Sequence, residues 1–183
     1  MNNLGTLTLK TGRLVLRPFR VDDYKDMYKN WASSEVVSRY MTWEKHKDEQ
    51  ETKKTLEQWV KNYETNDFYN WCITLNGEPI GSIGIAEFDN DTLTAKTGYC
   101  ISEKHWGKGF VTECYSAVLN FLFKEVGINK VSTYHDIRNV ASGRVMEKCG
   151  LKEVRTENTV NKGEKITISI KEITKAEFLA LNP

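Results

Sequence analysis

The residues best suited to chemistry lie in the stretch HWGKGFVTEC, residues 105–114, directly before an apolar run with helical spacing. Two glycines and Lys108 follow the strand-like stretch TAKTGYCI and precede that helix. Glycine lets a backbone approach a ligand closely, and the first turn of a helix presents unpaired N–H groups at the positive end of its dipole. The stretch therefore suits an anion such as a pyrophosphate, although an ordinary solvated turn has the same composition.

Two other phosphate-binding patterns do not fit this stretch. A P-loop requires the string GxxxxGK[ST], which occurs nowhere in the chain. A dinucleotide fingerprint, GxGxxG, matches Gly107 and Gly109 but finds Thr112 in place of the third glycine. What remains is a glycine turn at a helix N-terminus, to which Lys108 either adds positive charge or is simply solvated.

A second stretch, NVASGRVMEKCGL at residues 139–151, places an amide and a hydroxyl at the start of another predicted helix. Together, the two stretches resemble the GNAT superfamily of acyl-CoA N-acyltransferases, in particular the branch that includes ribosomal-protein N-terminal acetyltransferases. The first is similar to the pattern GY-x-I…WGKG[FY]-x-TE, and the second to N-x-x-S…EK-x-G[FL]. The opening TGRLVLRPFRVDD also resembles the start of this branch, so the resemblance covers essentially the whole chain.

This resemblance implies acetyl-CoA as cosubstrate. The pantetheine arm would enter a gap between two parallel strands, TAKTGYCI and KVSTYHDI, and the amides of residues 106–112 would bind the pyrophosphate. Asn139 and Ser142 would face the thiol end from the other side. The implied cofactor-binding residues are Cys100, Ile101, Trp106, Gly107, Lys108, Gly109, Phe110, Val111, Thr112, Asn139 and Ser142.

The implied reaction is direct attack of a neutral amine on the acetyl thioester. From ordinary pKa values, roughly a tenth of an α-amino group is neutral at pH 7, against fewer than about one in a thousand lysine side chains. An N-terminal amine therefore needs little help from a base. A water relayed to the carboxylate of Glu87 is the nearest candidate, although a surface charge near a strand end is the favoured interpretation of that residue.

The leaving thiolate is only modestly basic, so it does not require a strong acid. The Ser142 hydroxyl would donate a hydrogen bond to the thiolate or pass it a proton, and this residue is also expected to cap the start of the helix, a role that does not exclude the first. A strand N–H near Ile101 would meet the developing oxyanion.

Some positions depart from the patterns of relatives. Val111 replaces the glycine or alanine that usually ends the glycine motif, but this change removes no main-chain donor. Lys96 and Thr97 stand where relatives often carry an acidic residue, so the charge of the acceptor pocket is left open. Met146 occupies the position at which many other branches use a tyrosine as general acid, which agrees with the branch named above.

No metal chemistry is expected. His46, His105 and His135 lack the spacing of metal ligands and fall on different predicted elements, so we predict structural or surface roles for them. The four cysteines form no CxxC pair and lie in apolar segments. This pattern predicts buried free thiols in a reducing compartment.

Size and charge narrow the function further. A length of 183 residues predicts a single domain over residues 1–183. With 26 basic and 25 acidic residues the formal charge is +1, which gives no electrostatic footprint for direct binding of nucleic acid or an anionic membrane. The start of the chain lacks the apolar core of a signal peptide, so we expect a cytoplasmic protein.

The order of patterns along the chain predicts an α+β protein. A strand or hairpin arm ends at Pro18, two amphipathic helices follow, and Asn76-Gly77 predicts a tight hairpin turn. Helices over residues 110–125 and 138–149 then alternate with strands before a final hairpin. The residues predict a mixed sheet between helices. The resemblance implies the acyl-CoA N-acyltransferase fold: a mostly antiparallel central sheet with a splayed parallel strand pair and helices on both faces.

Two functions are compatible with these motifs. One is an enzyme that transfers an acetyl group from acetyl-CoA to a primary amine of a protein N-terminus or a small molecule. The other is a non-catalytic acyl-CoA binder that acts as a sensor or scaffold; Asn139 and Ser142 favour the enzyme. The acceptor stays open between ribosomal-protein N-termini, aminoglycosides, polyamines and small metabolites, and the chain is expected to be a monomer or a homodimer.

Overall fold

A computed structural model of the chain describes residues 2–182, in which eight strands form one sheet. Their order across the sheet is β1-β2-β3-β4-β5-β6-β8-β7, and each neighbouring pair is antiparallel except β5 and β6. The strands are β1 Leu9–Lys10, β2 Val15–Pro18, β3 Asn70–Leu75, β4 Glu78–Asp89, β5 Thr94–Ile101, β6 Lys130–Asp136, β7 Lys152–Asn161 and β8 Glu164–Thr174. The predicted mixed, mostly antiparallel sheet is confirmed.

Helices cover both faces of this sheet. On β3, Trp71 and Ile73 pack into a large core with residues of α4 to α6, whereas Cys72 between them packs with Trp31 and Leu56 on the opposite face. This alternation follows from the two-residue period of a strand. The helices are α1 Tyr24–Met27, α2 Glu35–Ser38, α3 Glu49–Asn62, α4 Phe110–Asn120, α5 Val140–Lys148 and α6 Lys175–Leu181. No helix of residues 2–182 has the length and apolar character needed to cross a bilayer.

Several predicted boundaries are confirmed, and the structure contains two helices that were not predicted from the sequence. Asn76 and Gly77 form the β3–β4 turn with φ of 51° and 86°. The helix that starts at Phe110 continues through a π-helical turn, Phe121–Val126, to a left-handed glycine cap. The sequence reading missed α2, whose four residues are too few to show a period. It also missed α6, which begins with a capping box between Thr174 and Glu177.

The parallel strands β5 and β6 separate after a short contact. Their ladder contains only the pairs Thr94 with Lys130 and Ala95 with Val131. Beyond it, the Thr133 hydroxyl donates to the Thr97 carbonyl at 2.7 Å, so a side chain replaces the main-chain ladder. β5 and β6 can diverge because each stays paired on its other side, β5 with β4 and β6 with β8. The splayed pair expected from the resemblance is confirmed.

Candidate active site

Two cavities meet at the gap between β5 and β6. The turn cavity, of about 570 Å³, is lined by the glycine turn at residues 106–112 and the start of α5. The strand cavity, of about 450 Å³, is lined by β4, β5, β6 and the loop 39–48 between α2 and α3. Residues that line both cavities are Tyr40, Met41, Tyr99, Cys100, Asn139 and Ser142. The two cavities are therefore adjacent at the gap.

The glycine turn presents a row of free main-chain donors. Gly107 and Gly109 have φ of 73° and 75°, the left-handed conformation that glycine adopts without steric cost. Within residues 2–182, the amides of residues 107–109 make no hydrogen bond, and residues 110–112 open α4, where no preceding helical turn can accept from them. This array, with the positive end of the α4 dipole, matches the requirements of a pyrophosphate.

A network from the β1–β2 turn holds the glycine turn in place. Glu113, in the first turn of α4, accepts hydrogen bonds from Thr11 Oγ1 and from Arg13 N and Nε. Arg13 also donates to the Lys108 carbonyl at 3.0 Å and lies over the Phe110 ring. Burial by itself would raise the pKa of Glu113, but the hydrogen bonds from Thr11 and Arg13 hold it below its ordinary value. The sequence reading missed these supports, because they lie about a hundred residues before the turn.

The main-chain groups that face the gap belong to Tyr99 and Ile101. Ser102 N donates to the Ile80 carbonyl of β4. Main-chain groups of successive strand residues point to opposite sides, so the groups of Cys100, two residues before Ser102, also face β4, and those of Tyr99 and Ile101 face away from it. The carbonyl of Ile101 accepts from Trp106 Nε1 at 3.0 Å. The N–H of Ile101 and both main-chain groups of Tyr99 are open to the gap, which Cys100 lines with its side chain only.

Asn139 and Ser142 have separate roles at the start of α5. Asn139 Oδ1 accepts from Ser142 N at 3.2 Å, so the asparagine is the N-cap and the expectation that Ser142 also caps the helix is wrong. The Ser142 hydroxyl instead lies 3.0 Å from the Tyr99 hydroxyl, which is also 3.0 Å from the Ser142 carbonyl oxygen. Burial raises the pKa of Tyr99, which keeps this phenol protonated.

A bulge near the end of β4 shapes the wall of the strand cavity. The pairing with β5 shifts from Ile85 opposite Thr97 to Glu87 opposite Lys96. Both carboxylate oxygens of Glu87 lie 2.9 Å from Lys96 Nζ, and the Glu87 side chain is 70% exposed. This geometry agrees with the interpretation of Glu87 as a surface charge. A proton from the amine could reach it only through a water molecule.

Two of the histidines line these cavities, although the sequence reading assigned them structural or surface roles. His135 in the strand cavity donates from Nδ1 to the Asp136 carbonyl at 2.8 Å, which leaves Nε2 as an acceptor when the ring is neutral. Its ring lies against Gly143, where a Cβ atom would approach to 2.7 Å. His105 lines the turn cavity, and burial, followed by the charge of Lys108, lowers its pKa.

The remaining predicted residues fall as follows. The Lys108 side chain is exposed and does not line the turn cavity. Its carbonyl oxygen helps to hold the glycine turn by accepting a hydrogen bond from Arg13. All four cysteines are buried and form no disulfide, as predicted. Within residues 2–182, no group of three or more His, Cys, Asp or Glu side chains is arranged to hold a metal ion. The predicted residues that line the turn cavity are Cys100, Ile101, Trp106, Gly107, Gly109, Phe110, Val111, Thr112, Asn139 and Ser142.

Comparison with known proteins identifies the family. The model of the acetyltransferase (GNAT) domain matches residues 13–152 of the chain. The chain belongs to the GNAT family. It is 26% identical to the uncharacterized N-acetyltransferase YoaA of Bacillus subtilis over 147 residues, which are 79% of this chain and 82% of that protein. As a GNAT protein it is an acetyl-CoA-dependent N-acetyltransferase, so the alternative of a non-catalytic acyl-CoA binder loses its support.

Solved structures of other acetyltransferases share the fold. The ribosomal-protein-S5-alanine acetyltransferase of Vibrio fischeri has a TM-score of 0.82 at 13% identity, over 94% of this chain and 98% of that one. The spermidine N-acetyltransferase of Vibrio cholerae, solved with CoA and spermine, has a TM-score of 0.78 at 18% identity, over 91% of this chain and 98% of that one. At such identities the likeness establishes the GNAT fold and leaves the acceptor open.

Proposed function

We propose that this GNAT protein binds acetyl-CoA in the turn cavity and acetylates a primary amine held in the strand cavity. The observation that carries the proposal is the row of free amides at residues 107–112, which leads directly to the gap between β5 and β6. Acetyl-CoA supplies the thioester that the amine attacks. We also propose that residues 1–183 form a single domain of this kind, which is supported by the packing of β1 and α6, outside the matched residues, onto the same sheet and core.

The turn cavity suits coenzyme A in both charge and shape. The free amides and the α4 dipole favour the pyrophosphate, and Lys108 adds a positive charge nearby. Val111 is half-buried against the core, so its side chain leaves the row of donors uncovered. The open groups of Tyr99 and the N–H of Ile101 would hold the pantetheine amides as an added strand does, and the Ile101 N–H is also available to the developing oxyanion.

Ser142 is the candidate proton donor to the leaving thiolate, and Tyr99 is its positioning residue. The Tyr99 hydroxyl has one hydrogen and two acceptors within 3.0 Å, the carbonyl oxygen and the Oγ of Ser142. When that hydrogen points to Oγ, the hydrogen of Ser142 is free to point towards the sulfur. When it points to the carbonyl, Ser142 can donate back to Tyr99. The pair can therefore turn the Ser142 hydrogen towards the thiolate without leaving a buried hydroxyl unpaired, and a proton that Ser142 passes to the sulfur is replaced on its Oγ from the reacting amine or from water.

The amine must lose a proton before or during attack. Glu87, at the edge of the strand cavity, is the candidate that takes this proton. A water must carry the proton to it, because Lys96 engages both of its oxygens. A site with so indirect a base suits an amine that is partly neutral at pH 7. An α-amino group meets that condition far better than a lysine side chain, which favours a protein N-terminus, including that of a ribosomal protein, over a lysine.

The proposal is tested by thiol release from acetyl-CoA with a panel of primary amines that includes short peptides with free N-termini. We expect turnover with α-amino acceptors and calorimetric binding of coenzyme A in the absence of an acceptor. Tight binding of coenzyme A with no thiol release for any amine would contradict the proposal. The buried free thiols lead us to propose a reducing, cytoplasmic location.

A further inference from the structure

Two carboxylates line the strand cavity, and each is already paired with a cation. Glu87 shares both oxygens with Lys96 Nζ at 2.9 Å. Asp136 accepts hydrogen bonds of 2.7 to 3.1 Å from Nε and Nη2 of Arg138, and these hydrogen bonds lower the pKa of Asp136. Within residues 2–182, no other Asp or Glu lines this cavity. The cavity therefore contains no carboxylate free to compensate an additional positive charge on an acceptor.

Lys96 is held in place by two partners. Its ammonium group binds Glu87 and lies 5.2 Å from the centre of the Tyr134 ring, within cation–π range. The β4 bulge brings Glu87 directly opposite Lys96 on the same face of the sheet. The lysine side chain is 32% exposed. Lys96 thus keeps the Glu87 carboxylate paired at the edge of the cavity.

Most of the remaining wall is aromatic or apolar. The loop 39–48, α3 and the strands supply rings that bind the body of an acceptor through apolar contact rather than through charge. The aromatic lining residues are Tyr40, Trp43, Trp59, Phe68, Tyr99 and Tyr134. An acceptor with an apolar body and a single amine fits these surroundings.

We propose that Lys96 determines the acceptor class: it restricts the enzyme to primary monoamines on aromatic or apolar bodies and disfavours acceptors with a second ammonium group. A second ammonium would lose water in the cavity, and Lys96 already occupies the Glu87 carboxylate that could otherwise compensate its charge. This inference rests on the proposed function, because the strand cavity must receive the acceptor.

The test compares alanyl-norleucine amide (the monoamine) with alanyl-lysine amide (the diamine), which share the same α-amino group and differ by one ammonium group at the end of the second side chain. The wild-type enzyme is expected to favour the monoamine in kcat/KM by about tenfold, the size expected for one ammonium group left without a carboxylate partner in a partly hydrated site. Lys96→Met keeps an apolar side chain over Tyr134 and frees Glu87. It is expected to shift the ratio of diamine to monoamine kcat/KM upwards by about tenfold.

Lys130→Met is the matched control. Lys130 also pairs with a carboxylate, Glu172 at 3.2 Å, but lies at the closed end of the parallel pair, away from both cavities. For Lys130→Met, the ratio of diamine to monoamine kcat/KM is expected to equal that of the wild type. A wild-type enzyme that uses both amines equally, or a Lys96→Met ratio equal to the wild-type ratio, would overturn the inference.

A second readout separates this inference from the proposed function. Calorimetric binding of the two amines to the protein saturated with coenzyme A measures the same preference without turnover. If neither amine nor any other peptide is acetylated, the proposed function fails, and the binding ratio still decides the role of Lys96. Equal affinity of the two amines for wild type, or an unchanged affinity ratio in Lys96→Met, overturns that role.

Discussion

The turn cavity and the strand cavity meet at the same gap but are built from different parts of the chain. The turn cavity presents a row of main-chain donors, fixed by two left-handed glycines and the first turn of α4, beside side chains of α2 and α5. The strand cavity presents side chains, brought together by a bulge, a loop and two strands. Main-chain donors suit a cosubstrate whose pyrophosphate is constant, whereas side chains can change with the acceptor while the fold is kept.

The two cavities also differ in what supports them. The glycine turn is held by Arg13 and Glu113 close to its own donors. The loop over the strand cavity is held from the β7–β8 turn, where Asn161 donates to the Met41 carbonyl at 3.1 Å and Lys162 donates to the Ser38 carbonyl at 2.9 Å. Acceptor binding therefore depends on the position of a hairpin that is distant in sequence, and because Tyr40 and Met41 line both cavities the same hairpin also supports one wall of the turn cavity.

The largest effect is expected from Gly109→Asp, which acts on the turn cavity alone. The new carboxylate would stand against the phosphates, and we expect affinity for coenzyme A to fall by at least about a hundredfold, from like-charge repulsion at short range. Gly109→Asn is the matched control, because it places an uncharged side chain of the same size at the same backbone position, where φ is 75°. Calorimetry gives the affinities and circular dichroism checks the fold. Equal losses in the two variants would attribute the effect to backbone strain rather than to charge.

Ser142→Ala acts where the two cavities meet. We expect kcat to fall by about a hundredfold, the low end of the range for a positioned proton donor because the leaving thiolate is only a weak base, with affinity for coenzyme A changed by less than about threefold. Steady-state kinetics with the best amine of the panel and calorimetry with coenzyme A make the comparison. An unaltered kcat would remove Ser142 from the chemistry.

Tyr99→Phe tests whether the tyrosine acts through Ser142. We expect a fall in kcat of about tenfold that nearly disappears when Ser142 is already alanine, because coupled residues are not additive. Tyr115→Phe is the control: its buried hydroxyl pairs with Thr97 at 2.7 Å and does not contact Ser142. Additive effects of the Tyr99 and Ser142 changes, or an equal loss in Tyr115→Phe, would leave Tyr99 with a packing role only.

The smallest effect concerns pH and the loop over the strand cavity. Burial lowers the pKa of His46 in that loop from its ordinary 6.5, so protonation favours the unfolded chain. Its contribution to stability is constant above about pH 6.5 and decreases as the pH falls below that value. We expect a loss of less than about 1 kcal/mol, because water still reaches the ring, and a smaller loss in His46→Gln. Urea unfolding at pH 7.5 and 5.5 measures both, and identical pH dependence in the two proteins would refute this contribution.

Sequence patterns were sufficient wherever the determining contacts are local. The glycine turn before α4, the Asn76-Gly77 hairpin and the start of α5 were predicted because turn and cap residues act within about four positions. The resemblance to the GNAT family, carried by the same stretches, is confirmed by the family match over residues 13–152. Local signals also existed for α6, whose capping box was overlooked.

The contacts that give the site its chemistry depend on the tertiary structure. Arg13 reaches the glycine turn across about a hundred residues, and Tyr99 meets Ser142 across 43. Lys96 was visible as a departure in charge, but its pairing with Glu87 depends on a bulge that displaces the strand register by one residue. A register shift of one residue reverses which face a side chain occupies, and no local pattern in this chain encodes it.

The sequence by itself determined the turns, the caps and the succession of strands and helices, because these depend on backbone conformations that a few neighbouring residues fix. Only the tertiary structure decided which charges are compensated, which hydroxyls form a pair and which main-chain groups face the gap. Those properties arise where distant segments meet, and their geometry is set by strand pairing and by the divergence of β5 from β6.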